Sequence, residues 1–210
     1  MPQIDMPFHD AAKALSHCEL CIHQVLNKNI SYADFEFFYT SFMFEINRFR
    51  ELVHKQLIQL NNKEILSFSK KIERKVDIGT PFTDPLLAYV RYARNQLGHE
   101  RKNILWNSSD EGEVEGLGAK ENMGEYYNTK SIKCYSTSVL PSLQLNFVAT
   151  YIAAKPVVAI KKGKKIELPV PNQCCGNIFE NTPRNIMICA YKFYGQNFDK
   201  IVDWSRKVNI

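Results

Sequence analysis

The chain has 210 residues, of which 45% are hydrophobic, and its formal net charge at neutral pH is +5. This length fits one or two domains, and the apolar fraction is sufficient for a buried core. No apolar run is long enough for a transmembrane helix, so we expect no membrane contact. Residues 1–10 lack a basic stretch followed by an apolar one, so we expect a cytoplasmic protein with reduced cysteines.

Apolar residues at helical spacing predict three helices in the first part of the chain, over about residues 6–28, 31–60 and 63–76. The second of these is rich in phenylalanine on several sides. That pattern indicates a helix at the centre of a bundle or, as the alternative, a helix that also forms a dimer interface. The phenylalanines concerned are Phe35, Phe37, Phe38, Phe42, Phe44 and Phe49.

A fourth helix is predicted to begin at Asp84, which can cap it, with Pro85 at the first helical position. Its apolar stripe predicts that it continues as an α-helix as far as Ile104. Short connections between the four helices predict an antiparallel bundle over residues 1–107. The stripe consists of Leu86, Val90, Ala93, Leu97 and Ile104.

The second part of the chain changes in character. Residues 108–130 combine acidic residues with recurring glycines, which predicts a flexible acidic loop, interpreted as a linker rather than a lid. Residues 131–171 predict a small antiparallel β-sheet attached to the bundle. Residues 172–210 predict a C-terminal helix, starting at Thr182 and Pro183, that packs back on the bundle. The expected strands are 131–139, 143–153, 156–160 and 165–170.

The segment Arg94-Asn95-Gln96-Leu97-Gly98-His99 carries the most direct suggestion of chemistry. An arginine can bind a phosphate bidentately, and a histidine can exchange a proton near neutral pH. Together they can cleave a phosphodiester without a metal. Asn95 and His99 are four residues apart, so on a helix the amide can orient the imidazole. Arg94 lies roughly 140° from His99 around an ideal helix, so a second subunit could complete the site. The alternative interpretation is an ordinary solvated helix face.

This segment resembles the motif of the HEPN superfamily (higher eukaryote and prokaryote nucleotide-binding), in which an arginine and a polar residue precede a histidine on a late helix of a small bundle. The resemblance implies a homodimer that acts as a metal-independent endoribonuclease, with Arg94, Asn95 and His99 as catalytic residues and no cofactor. Arg91 and Lys102 would extend the positive surface toward RNA. Family members in toxin–antitoxin or phage-defence systems make an antitoxin protein a further candidate partner. Other members bind without catalysis, and the predicted β-sheet is not part of the minimal HEPN pattern.

Two pairs of cysteines are further candidates for a site. Cys18 and Cys21 form a Cys-x-x-Cys pair, but Cys18 belongs to the apolar stripe of its helix, so we interpret the pair as buried thiols rather than zinc ligands. The adjacent pair Cys174-Cys175 is a poor partner for a single ion. No metal site is therefore expected.

A group of lysines lies at the expected turn between residues 160 and 165. A positive hairpin tip can contact phosphates, or it can be an ordinary solvated turn that protects an edge strand. The residues concerned are Lys161, Lys162, Lys164 and Lys165.

Overall fold

The computed structural model describes residues 8–27, 30–60, 62–100, 102–107, 124–128 and 149–208. Most of these residues are helical, and the prediction of a mainly α fold is confirmed. A π turn, Gln96–Glu100, directly follows the fourth helix. The α-helices are α1 (His9–Val25), α2 (Tyr32–Leu60), α3 (Lys63–Val76), α4 (Pro85–Asn95) and α5 (Pro183–Val208).

Side-chain caps define where α3 and α4 begin. Asn62 Oδ1 accepts hydrogen bonds from the Glu64 and Ile65 N–H groups of α3, at 3.0 and 3.1 Å. Asp84 does the same for α4, with Oδ1 accepting from the Leu86 and Leu87 backbone at 3.0 and 3.2 Å. Pro85 follows it at the first helical position, as predicted. These bonds satisfy N–H groups that have no partner within the helix.

The C-terminal helix packs on the bundle, as predicted. The Phe198 ring of α5 meets the ring edges of Phe8 and Phe49, at centroid distances of 5.8 and 5.2 Å. Trp204 contacts Phe68 of α3 in a similar edge-to-face geometry. These aromatic contacts hold α5 against α2, α3 and Phe8, which precedes α1.

The phenylalanines of α2 divide between the two interpretations that the sequence left open. Phe35, Phe42 and Phe49 are buried in the core. Phe37 and Phe44 remain 63% and 38% exposed. The helix is therefore central to the bundle and also presents aromatic rings on its outer side.

Polar links join α2 to its neighbours inside the bundle. The buried Asn47 amide donates to the carbonyl of Met43 at 2.8 Å and to that of Val90 in α4 at 3.2 Å. Arg50 donates to the Glu73 carboxylate of α3 at 2.6 Å. Since unpaired buried polar groups are costly, these bonds favour one arrangement of the helices.

A three-stranded antiparallel sheet contains β1 (Leu105–Asn107), β2 (Gly124–Asn128) and β3 (Ala149–Ala154), in the order β1-β3-β2. β1 lies within the range 1–107 that was predicted to be helical. β2 lies within the range predicted to be loop. Long-range pairing explains both differences, because each strand is defined by its partner β3 rather than by its own sequence.

Two hairpins precede α5. Strands β4 (Val157–Lys161) and β5 (Lys164–Leu168) confirm the predicted hairpin, whose turn residues Lys162 and Gly163 have φ angles of 50° and 75°. Such left-handed pairs form the tight turns that suit twisted hairpins. The second hairpin, β6 (Gln173–Cys174) with β7 (Asn177–Ile178), was not predicted. The strand expected over 131–139 and the first part of the strand expected over 143–153 lie outside the described residues, and the remainder of the latter is found in β3.

The sheet residues share the core of the helices. Leu105, Ile152, Ala154 and Val157 are fully buried in the same hydrophobic cluster as the bundle residues. The β part is therefore attached to the bundle through a common core. Among the described helices, none has both the length and the apolar character needed to cross a membrane.

Candidate functional site

The predicted motif spans a change in helix type. Arg94 and Asn95 are the last residues of α4, whereas His99 lies in the π turn Gln96–Glu100. The prediction of one α-helix through Ile104 is therefore wrong. Ile104 is buried, as its place in the apolar stripe suggested, but it reaches the core after the π turn and just before β1. Single π turns occur often at functional sites.

The π turn alters the angle between the motif side chains. A π turn closes hydrogen bonds between residues five apart instead of four, so each residue rotates the chain less than in an α-helix. The separation of Arg94 and His99 is consequently smaller than the roughly 140° of an ideal α-helix. On ideal geometry the π turn would bring Arg94 and His99 closer to one face than an α-helix does.

The motif side chains differ in exposure and in partners. His99 is exposed, whereas Arg94 and Asn95 are half-buried. The Arg94 guanidinium donates to Asn95 Oδ1 at 3.3 Å. Among the described residues, no hydrogen bond joins Asn95 to the imidazole. Asn95 therefore orients the arginine, and the expected orientation of the histidine by Asn95 is not seen.

Gln96 anchors the π turn, and sequence reasoning did not select it. Its side chain is buried, and Oε1 accepts a hydrogen bond from the Val158 backbone of β4 at 2.9 Å. Its own carbonyl accepts from the Lys102 backbone at 3.5 Å. A buried amide inside a polar segment gives no sequence signal for its contact with a strand 62 residues away. Gln96 thus couples the motif segment to the first hairpin.

Gly98 lies beneath an aromatic ring of α2. A Cβ atom at this position would lie 3.5 Å from Cε1 of Phe44, which is ordinary van der Waals contact. The partly exposed Phe44 ring lies over Gly98, so an apolar surface adjoins the motif.

The two residues predicted to extend the positive surface have different surroundings. Arg91 forms an ion pair with Asp77, the residue that follows α3, and its guanidinium lies 5.8 Å from the Tyr92 ring centroid. Both members of this pair are partly exposed, so the pairing is weak and open to competition. Lys102 is exposed just after the π turn.

The Cys-x-x-Cys pair on α1 is buried, as interpreted from the sequence. Burial raises the pKa of the Cys18 thiol far above its usual range, and it raises that of Cys21 to about 11. Both thiols are therefore protonated and neutral near pH 7. They belong to the core of the bundle.

The lysines of the first hairpin are not equivalent. Lys161 is half-buried and donates to the carbonyl of Ile78, between α3 and α4. Lys162, Lys164 and Lys165 are exposed. The structure thus assigns Lys161 a role in fixing the hairpin to the bundle.

Comparison with known proteins adds no relative. No family model, no curated protein and no solved structure matches the chain. Membership of the HEPN superfamily therefore stays a prediction that depends on the motif from Arg94 to His99.

Proposed function

We propose that the chain is a HEPN-like, metal-independent endoribonuclease whose site is formed by Arg94, Asn95 and His99. The observation that supports this best is the exposed His99 imidazole in a π turn beside the hydrogen-bonded pair Arg94 and Asn95. An exposed imidazole on the same segment as an oriented guanidinium provides a proton carrier and a phosphate ligand.

In this mechanism the 2′-OH of the ribose attacks the adjacent phosphorus. His99 accepts the proton of that hydroxyl or returns a proton to the leaving 5′-oxygen. Arg94, held by Asn95, binds the scissile phosphate and stabilises the charge that develops on its oxygens. The products are a 2′,3′-cyclic phosphate and a 5′-OH. Arg91 would contact RNA only after leaving Asp77.

We further propose that two copies of the chain share the site. Acid and base roles need two proton carriers, and each chain offers one His99 at this place. The exposed rings of Phe37 and Phe44 support a dimer face next to the motif, since exposed aromatic patches commonly mark interfaces. A cytoplasmic setting with an antitoxin partner, as in a toxin–antitoxin or phage-defence system, belongs to the same proposal.

The alternative is a binding module of the same family that holds nucleotides or a protein without cleaving RNA. The ion pair between Arg91 and Asp77 favours the protein-binding form of this alternative, because that pair reduces the positive charge available to RNA or to a nucleotide.

The first test is RNA cleavage in EDTA, comparing wild type with His99→Ala and Arg94→Ala. We expect losses of about 100- to 10,000-fold for His99→Ala and about 100- to 1,000-fold for Arg94→Ala. His23→Ala and Arg206→Ala, at exposed positions on α1 and α5, are matched controls and should keep wild-type activity. End labelling should identify the cyclic phosphate.

Cleavage that persists in both motif variants would refute the site. Absence of cleavage in wild type, together with nucleotide binding that Arg94→Ala abolishes, would establish the binding module instead.

Mixing wild type with an equal amount of His99→Ala tests the shared site. If one site needs both copies of His99, only the dimers with two wild-type protomers are active, and random reassociation should lower activity to roughly a quarter of that of wild type at the same total concentration. Activity that falls only to about half, although sedimentation shows heterodimers, would place the whole site within one chain.

A further inference from the structure

A second cluster of reactive side chains lies at the other end of α4. Asp84 caps the start of this helix, and the turn of the second hairpin brings Cys174 and Cys175 against it. One carboxylate oxygen and the two sulfur atoms all lie within 4.8 Å of one another. Helix α4 has eleven residues and rises about 1.5 Å per residue. The cluster at its start therefore lies about 16 Å from the motif at its end, and the two are distinct sites.

The hairpin turn brings the two thiols together. Cys175 and Gly176 are the central turn residues, with φ angles of 51° and 84°. The Cys175 N–H donates to Asp84 Oδ2 at 2.6 Å, which ties the turn to the start of α4. Asp84 Oδ1 is occupied by the helix cap, whereas Oδ2 accepts this single bond. Since each carboxylate oxygen has two lone pairs, Oδ2 retains one for a further ligand.

Cys174 and Cys175 line a cleft of about 240 Å³ between the hairpin and α5. Cys189 of α5 lines the same cleft; its sulfur lies outside the 4.8 Å group and has to approach the ion for a third thiol to bind. Lys75 donates to Cys175 Sγ at 3.4 Å, and its ammonium lies 5.6 Å from the Phe193 ring centroid. Lys192 also lines the cleft.

We propose that this cluster is a zinc site with Asp84, Cys174, Cys175 and Cys189 as its four ligands. Thiolates and a carboxylate are donors that Zn²⁺ accepts in tetrahedral geometry. Adjacent cysteines supply too few ligands alone, but here the fold places Asp84 of α4 beside them and Cys189 of α5 in the same cleft. Each thiol gives up its proton as the metal–sulfur bond forms. Three thiolates and one carboxylate leave a negatively charged complex, which the Lys75 ammonium stabilises through its bond to Cys175.

The ion would have a structural role. Its ligands belong to the start of α4, the second hairpin and α5, so binding would connect three elements that are distant in sequence. The proposal does not depend on RNA cleavage, because the cluster and the motif lie at opposite ends of α4.

The test uses the full chain, purified under reducing conditions and freed of metal with EDTA, then titrated with Co²⁺ after removal of the chelator. We expect one Co²⁺ per chain, with the thiolate charge-transfer bands of a tetrahedral site, and displacement by Zn²⁺. Cys174→Ser and Cys175→Ser should each weaken Co²⁺ binding by more than about 100-fold. That loss is larger than the one expected for a residue that only hydrogen-bonds to a metal ligand. Cys189→Ser should reduce the charge-transfer intensity.

Cys21→Ala is the matched control, because it removes a buried thiol of α1 and should leave the stoichiometry and the spectrum unchanged. A reduced, folded wild-type chain that binds no Co²⁺, or binding that survives the double variant Cys174→Ser/Cys175→Ser, would overturn the zinc site. An unchanged spectrum in Cys189→Ser would overturn the assignment of the fourth ligand.

Discussion

The Asp84 carboxylate connects two elements with one side chain. It caps α4 through the Leu86 and Leu87 N–H groups, and it accepts from Cys175 of the second hairpin. The side chain is almost fully buried. When a buried N–H group loses its acceptor, the free energy of unfolding falls by more than for an exposed N–H group, because water does not replace the lost acceptor.

Replacing Asp84 should therefore lower the free energy of unfolding by more than the loss of a helix cap alone. For Asp84→Ala in metal-free protein we expect the unfolding free energy to fall by about 2–4 kcal/mol, combining the lost cap with the unpaired Cys175 N–H. Asn62→Ala, which removes only the cap of α3, should cost about 1 kcal/mol. Urea unfolding in EDTA measures both. Equal losses would show that the bond to the hairpin adds nothing.

At the scale of elements, the π turn depends on the contact between Gln96 and β4. The bond from the Val158 N–H to the Gln96 amide joins the segment carrying His99 to a strand of the first hairpin. The Phe44 ring of α2 covers the same turn at Gly98. The motif is thus held from two sides by elements that contribute no catalytic group.

Gln96→Met should release this contact, because it preserves length but removes the acceptor for the Val158 N–H. We expect a loss of about 1–3 kcal/mol in unfolding free energy and faster hydrogen exchange at the Val158 amide. Gln59→Met, at an exposed position of α2, should change stability by no more than about 0.5 kcal/mol. Unaltered exchange at Val158 in Gln96→Met would argue against the anchoring role.

At the scale of the whole molecule, the core contains many groups that ionise only with difficulty. Burial raises the pKa of Tyr89 and Tyr194 above the usual range of a phenol, and it raises the pKa of Cys18 and Cys21. In the unfolded chain these groups would lose their protons at ordinary values. Above about pH 9 the unfolded state therefore binds fewer protons than the folded state, and its relative free energy falls.

We consequently expect the contribution of these groups to stability to be fully present below about pH 9 and to decline at higher pH. Each group that ionises only in the unfolded chain contributes about 1.4 kcal/mol per pH unit. For Cys21 this contribution extends from pH 9 to about pH 11. Urea unfolding at pH 8, 9.5 and 10.5 should show a shallower decline for Cys21→Ala than for wild type.

Ile22→Val is the control for this experiment, since it alters a buried neighbour without a titrating group. It should lower stability equally at every pH. Parallel pH profiles for Cys21→Ala and wild type would contradict the assignment of this decline to the buried thiol.

Local signals explain why so much of the architecture was predictable. The caps at Asp84 and Thr182, the prolines that follow them and the Lys162-Gly163 turn each act within a few residues, so their sequence specifies their structure. Apolar periodicity likewise defined the helices and the buried thiols of α1.

Tertiary contacts decided the rest. Strand β1 depends on pairing with β3, and Gln96 depends on Val158, 62 residues away. Asp84 and Cys175 are 91 residues apart in sequence and are joined by a hydrogen bond. The fold thereby adds a carboxylate to the adjacent pair of cysteines, which the sequence did not indicate. The sequence by itself determined which groups the motif carries, from Arg94 to His99. Only the folded chain determined that His99 lies in a π turn, because hydrogen bonds and packing from β4 and α2 act on that segment from outside it.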